Sequence, residues 1–219
     1  MKIQLFKDKE KAHLCARIAF LSLLPLITCL IYVIASGHWL TDISLRSSSW
    51  NDELFYYKQI ESIIKFGFPR GFFGFNESTA RFLSFAAWSP VLVFPYVLFT
   101  LIFGISPIRI YICNILIYGL AVMIYGILTK PDLKKTVVLS VLFALYPLNA
   151  RYCLSAMPEV AVWSLLIIFY ALAVSYAKEK RLNRPVAMLV ISVLLTIMRP
   201  YFILLLLLPS VLLFFHAKK

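Results

Sequence analysis

Long runs of apolar side chains constrain this chain more than any other feature. Ile18 to Ser36, Ile108 to Thr129, Thr136 to Ala150, Val160 to Ala177, Val186 to Met198 and Tyr201 to His216 all come close to or exceed bilayer-crossing length, for which about 20 helical residues match the hydrocarbon core. Tilt or local thinning accommodates the shorter ones. Composition points the same way, with 62% of residues apolar and 15% charged, against about 25% charged in a soluble domain. Too few polar residues remain to cover a water-soluble globule. The expected fold is all-α and polytopic, a single membrane domain over residues 1–219 with spans near 18–36, 108–129, 136–150, 160–177, 186–198 and 201–216.

Cytoplasmic flanks of membrane helices are enriched in Lys and Arg, and this fixes an expected orientation. A seventh apolar run, Trp88 to Gly104, decides the parity. If it does not cross, fourteen basic residues lie inside and eight outside; if it crosses, the later segments swap sides and the count reverses. The first arrangement is favoured, with both termini cytoplasmic. The run itself fits a juxtamembrane or re-entrant helix, because Pro90 and Pro95 interrupt the hydrogen-bond ladder near its start. An outer segment, 37–107, then separates the first two spans. Its aromatic density, from Trp50 through Phe55, Phe66, Phe73 and Phe85 to Trp88, suits short helices lying at the membrane interface.

The net charge of +12 would suggest a polyanion partner in a soluble protein. Here the basic residues fall between apolar runs and serve topology, so no nucleic-acid partner is expected. The amino-terminal run resembles a signal peptide with a cleavage-like Val33-Ile34-Ala35, but its apolar region is long for that type, and it is taken as a span. Cys15, Cys29, Cys113 and Cys153 lack metal spacing and suit small core thiols. His13, His38 and His216 are likewise isolated.

Carboxylates beside a membrane need water, a partner or a task. Asp52 and Glu53 open the stretch Asp52 to Phe66, an amphipathic helix with Leu54, Tyr57, Ile60 and Ile64 along one side. Either acid could take a proton from a hydroxyl as general base. Equally, Ser49-x-x-Asp52 is a capping-box pattern in which the side chains only satisfy helix amides. Glu159 follows Pro158 at the outer end of a span, where it also suits the positive end of a helix dipole. Arg151 and Arg199 stand at other outer ends, either snorkelling to headgroups or holding a lipid phosphate through the guanidinium fork. Asn76-Glu77-Ser78 has the form of a glycosylation sequon and is attributed to chance.

Taken in order, these residues resemble the amino-terminal module of the GT-C superfamily, the polytopic glycosyltransferases that use polyprenyl- or dolichyl-phosphate sugars. Protein O-mannosyltransferases and lipid A aminoarabinose transferases are similar in layout. Trp50-Asn51-Asp52-Glu53 with Tyr56 and Tyr57 resembles the acidic motif of the family's first outer loop, whose first acid is assigned as catalytic. Ser89-Pro90, Phe103-Gly104 and Ile108-Arg109 are similar to the juxtamembrane helix and the Arg opening the second span. Tyr146-Pro147, Arg151 and Pro158-Glu159 resemble the second outer loop, whose acid can help hold a divalent metal. Met198-Arg199-Pro200 falls where relatives place a basic residue near the lipid phosphate.

The resemblance implies an inverting transfer of sugar from a polyprenyl phosphate to a hydroxyl on a glycan, lipid or protein, outside the cytoplasm. Asp52 and Glu53 would be catalytic, and Arg199, Arg151, Glu159, Arg109 and Tyr57 would bind substrate. Metal-using relatives often carry another acid just before the position of Ser89; Trp88 stands there instead, which leaves Glu159 as the one residue marked as a possible ligand. Relatives are also longer, which leaves a fragment, a reduced form or one part of a split enzyme as alternatives; the last would have a subunit supplying further spans as a partner beside membrane lipids. The rival reading is a non-catalytic subunit that binds the lipid carrier. A transporter is disfavoured because the charges lie at helix ends and not mid-span.

Overall fold

A computed structural model describes residues 2–42, 51–67 and 89–217, with side chains from residue 9 onward and excluding that of Asn51. Ser49 and Trp50 of the expected cap and motif, the Asn76 sequon, most of the aromatic outer segment and Trp88 lie outside the described residues. Among those described, regular structure is entirely helical: α1 (Lys2–Ser36), α2 (Asn51–Phe66), α3 (Phe94–Phe103), α4 (Pro107–Thr129), α5 (Leu133–Leu145), α6 (Leu148–Cys153), α7 (Glu159–Glu179), α8 (Asn183–Met198) and α9 (Leu207–Ala217). Short 3-10 segments at Pro90–Leu92 and Pro200–Leu206 lead into α3 and α9.

Among the described residues, four helical stretches are long and apolar enough to cross a membrane: Lys9–Ser36, Pro107–Thr129, Glu159–Glu179 and Pro200–Ala217. Two of the six expected spans, 136–150 and 186–198, are not among these four. The run 136–150 does not form one helix; α5 stops at Leu145 and a separate short helix, α6, begins at Leu148. Pro147 is the cause, since it lacks an amide proton and pushes the residue before it out of helical geometry. At 13 residues, α5 rises about 20 Å, well short of the roughly 30 Å core. The 16 residues of α8 rise about 24 Å. In the region 88–104 the helix is the 10-residue α3, about 15 Å long.

The helices pack as a row in which α1 lies on α4, α4 on α7, and α7 on α8. Close approach of α1 and α4 depends on two glycines one heptad apart. A methyl on Gly119 would sit 2.8 Å from the Ser22 carbonyl oxygen, and one on Gly126 would sit 3.0 Å from the Ile18 side chain. Small residues at such crossings let backbones meet, as is usual where lipid offers no hydrophobic drive for association. Away from the contacts, large apolar side chains such as Ile34, Ile102, Leu145, Leu204 and Phe215 are exposed. Exposed apolar side chains in this number suit a membrane-associated protein.

Local signals set the helix ends. Ser106 accepts the Arg109 amide and Pro107 opens α4, while Asp132 caps α5 by accepting the Lys135 amide at 2.8 Å. Helices α4 and α7 both end on a left-handed lysine, Lys130 and Lys180. Those two ends share one pole of the bundle, where Arg17 Nε donates to the Pro131 carbonyl at 3.1 Å and Lys178 Nζ to the Thr129 carbonyl at 3.0 Å. The opposite pole carries α2 and α3, the start of α7 and the end of α8. Helix α2 forms as expected, but the stripe on Leu54, Tyr57, Ile60 and Ile64 is corrected. The deeply buried residues are Glu53, Phe55, Tyr56, Gln59, Ile60 and Ser62, with Leu54, Tyr57 and Ile64 only partly covered.

Candidate functional site

The site pole is organised by the connection between α6 and α7, residues 154–158, all of them buried. A buried irregular segment must have its amides and carbonyls satisfied, and here one side chain does much of this. Asn114, fully buried in α4, donates from Nδ2 to the carbonyls of Ser155 at 2.8 Å, Cys153 at 3.3 Å and Tyr152 at 3.4 Å. Its Oδ1 accepts the Tyr96 hydroxyl from α3 at 2.7 Å. Ser155 Oγ donates to the Tyr152 carbonyl and accepts the Met157 amide. The connection is thereby fixed against α3 and α4.

Glu53 completes this arrangement. Its side chain is buried, and Oε1 accepts the Ala156 amide at 2.7 Å across 103 residues of sequence. A carboxylate held by a backbone amide ties the first turn of α2 to the connection. Asp52, one residue earlier, is exposed. The adjacent acids therefore have different surroundings, one tethered and one open.

Glu159 and Arg199 are brought together from the first residue of α7 and the end of α8. They form an ion pair between Arg199 Nη2 and Glu159 Oε1, with side chains 11% and 18% exposed respectively. The second carboxylate oxygen of Glu159 is buried and has no hydrogen-bond partner among the described residues. Tyr56 reports the neighbourhood. Its phenol is pushed up to about 12, first by burial, then by the negative charge of Glu159; Arg199 opposes the rise both by charge and by a hydrogen bond, and Asp52 adds to it. Asp52, Tyr56, Glu159 and Arg199 thus form one electrostatic cluster at this pole. The i, i+4 spacing of Asp52 and Tyr56 puts them on one face of α2.

The remaining expected site residues lie differently. Arg109 is exposed, with its guanidinium across Gly104, where a Cβ would run into Nη1. Gly104 has φ of +81°, so glycine provides both the turn and the room for that side chain. Arg151 is exposed on the last turn of α6. Tyr57 is partly buried beside the core under α2, and its phenol is raised by burial and by Glu61. Among the described residues no three His, Cys, Asp or Glu side chains gather as a metal site requires.

Asn114 and Tyr96 were not singled out from sequence, and Tyr56 was named only as part of the acidic motif, with no role of its own. A lone amide in the middle of the apolar run 108–129 was the available signal for Asn114, since polar groups inside spans normally have a task. Comparisons with protein-family models, with curated proteins and with solved structures find no match to this chain.

Proposed function

We propose that the chain is a membrane-embedded glycosyltransferase that moves a sugar from a polyprenyl phosphate to an acceptor hydroxyl, with inversion, on the extracytoplasmic face. The observation that carries this reading is the cluster itself: an exposed carboxylate, Asp52, beside a guanidinium–carboxylate pair, Arg199 and Glu159, at the membrane end of the bundle. In this reading the lysine-rich pole with Arg17 and Lys178 is cytoplasmic, in line with the basic-residue bias. The short helices α5 and α8 then complete a six-crossing plan with the help of local thinning.

The donor phosphate is placed against the Arg199 guanidinium, whose planar fork matches phosphate oxygens. Asp52 takes the proton of the acceptor hydroxyl as its oxygen attacks the anomeric carbon. The bond from that carbon to the phosphate oxygen breaks, and polyprenyl phosphate leaves as the anion held by Arg199. Glu53 serves as a positioning residue, because its tether to Ala156 sets where Asp52 stands. A divalent metal has one candidate ligand, Glu159, and no step is assigned to it.

The test is transfer from a short polyprenyl-phosphate sugar by the full chain in liposomes. Asp52→Asn should lower the rate by at least about 100-fold, the usual span of lost acid–base catalysis, with donor binding retained. If the wild-type chain binds donor but transfers nothing, supplied with acceptor and with any partner subunit, the non-catalytic carrier-binding reading replaces this one. An Asp52→Asn variant with full transfer activity would remove Asp52 from the mechanism.

A further inference from the structure

The pole opposite the cluster carries a second site. A cavity of about 290 Å³ opens between α1 and the turn that joins α4 to α5, lined by Lys11, Leu14, Arg17 and Lys130 together with one acid, Glu10. Arg17 also lines a neighbouring groove of about 600 Å³ between α1 and α5, whose walls include Ala16, Phe20, Val137 and Val141. The first space brings three basic side chains and one acid to its lining, and the second is predominantly apolar. They meet at one guanidinium.

This pairing has the shape of an amphiphile. Arg17 spends its Nε–H on the Pro131 carbonyl, which fixes the guanidinium on the α4–α5 turn; the two terminal NH2 groups carry the remaining donors of the fork. Lys130 is in the left-handed region, with φ of +50°. That position at a helix end is normally given to glycine, yet here it carries a long cation that lines the cavity. The groove runs along helices that span or border the hydrocarbon, where a free apolar cleft is filled by lipid chains and not by water.

We propose that this cleft binds an anionic phospholipid, with its phosphate held by Lys11, Arg17 and Lys130 and one acyl chain laid along the α1–α5 groove. Basic pockets beside membrane helices recognise anionic headgroups in this way. Glu10 on the rim disfavours a headgroup of higher negative charge reaching that side, so a single phosphodiester is the matching chemistry. The proposal depends on α1 and α4 lying in a membrane and is independent of the glycosyltransferase reading. A bound lipid would bridge α1 to the α4–α5 turn and hold α5, which otherwise packs mainly on α1.

The test uses the full chain in detergent, with lipid retention read by native mass spectrometry and stability by thermal unfolding. Dioleoyl phosphatidylglycerol should bind more tightly than dioleoyl phosphatidylcholine. Lys11→Gln and Lys130→Gly should each weaken phosphatidylglycerol binding by about fivefold, the usual worth of one lysine near an anionic headgroup. Lys130→Gly restores the residue type that the left-handed position prefers, so its lipid-free unfolding temperature should be unchanged or higher, which separates binding from folding. Ala16→Trp should fill the groove and weaken binding by about tenfold, the equivalent of one or two buried methylenes. Equal affinity for the two lipids, wild-type affinity in both lysine variants, wild-type affinity in Ala16→Trp, or equal protection by glycerol phosphate alone would each overturn the proposal.

Discussion

Replacing Asn114 by Leu tests whether the site pole is held together from inside the bundle. The substitution roughly preserves volume and removes both polar ends of the amide. It strips the Tyr96 hydroxyl of its 2.7 Å acceptor and the Ser155 carbonyl of its 2.8 Å donor, as well as two longer contacts. Leaving a buried polar group unmet costs about 1–3 kcal/mol, which gives about 2–6 kcal/mol for the two strong bonds. Interhelical hydrogen bonds measured in membranes are weaker, near 0.6 and at most about 1.7 kcal/mol each, which gives about 1–3. Asn114 is fully buried among protein groups, which places the expected loss between these two ranges, at about 2–4 kcal/mol. Unfolding in mixed micelles with rising denaturing detergent would measure it. Tyr96→Phe in a double-mutant cycle should return a coupling of about 1 kcal/mol. Hydrogen exchange at the Ala156 amide should quicken in Asn114→Leu, because the connection that presents this amide to Glu53 has lost its anchor. A stability change within about 0.5 kcal/mol, with Ala156 protection intact, would refute this account.

Gly119→Ala should destabilise the chain by about 1–3 kcal/mol, the usual range for overpacking, because the new methyl meets the Ser22 backbone; Gly126→Ala should cost less, because the Ile18 side chain can yield. The same unfolding assay separates the two, and equal effects would contradict the α1–α4 contact. Arg199→Lys keeps the charge opposite Glu159 but loses the fork, so donor binding should weaken by about tenfold with little change in stability, whereas Arg199→Ala strands Glu159 and should cost about 3–5 kcal/mol. Unchanged donor binding in Arg199→Lys would return Arg199 to a structural role. The raised Tyr56 phenol makes a stability contribution that is complete below pH about 10, the ordinary tyrosine value, and is lost as pH rises through about 12. Tyr56→Phe should flatten that part of the alkaline stability profile, and a profile identical to wild type would show that Tyr56 titrates normally.

Spans and their ends were legible in sequence where length and punctuation agreed. Pro107 behind Ser106, Pro158 before Glu159 and Pro200 after Arg199 all mark helix ends in the structure. The run 136–150 misled because its apolar character continues past Pro147, and hydropathy does not register a missing amide proton. The buried side of α2 was misplaced because its apolar residues form two overlapping stripes. What selects between them is the bond from Glu53 to Ala156, a partner that no local period can reveal. The same reason hid the division of labour between Asp52 and Glu53, which look equivalent in sequence and stand respectively in the open and under the α6–α7 connection.

The 3-10 segment Pro200–Leu206 gives the last span a reserve of length and rotation. Seven residues wound at three per turn rise about 14 Å, whereas the same residues as α-helix rise about 10.5 Å. Rewinding them would shorten the Pro200–Ala217 stretch by about 3.5 Å and turn α9 by about 140° relative to Arg199, moving its exposed side chains around like a screw while the Glu159 pair stayed in place. Phe202, Leu205 and Leu212 pack against the core to which α7 and α8 contribute, and these side chains would have to repack in such a motion. Under the proposed membrane reading, this rewinding would fit the segment to bilayers of different thickness while the ion pair at its head stayed formed.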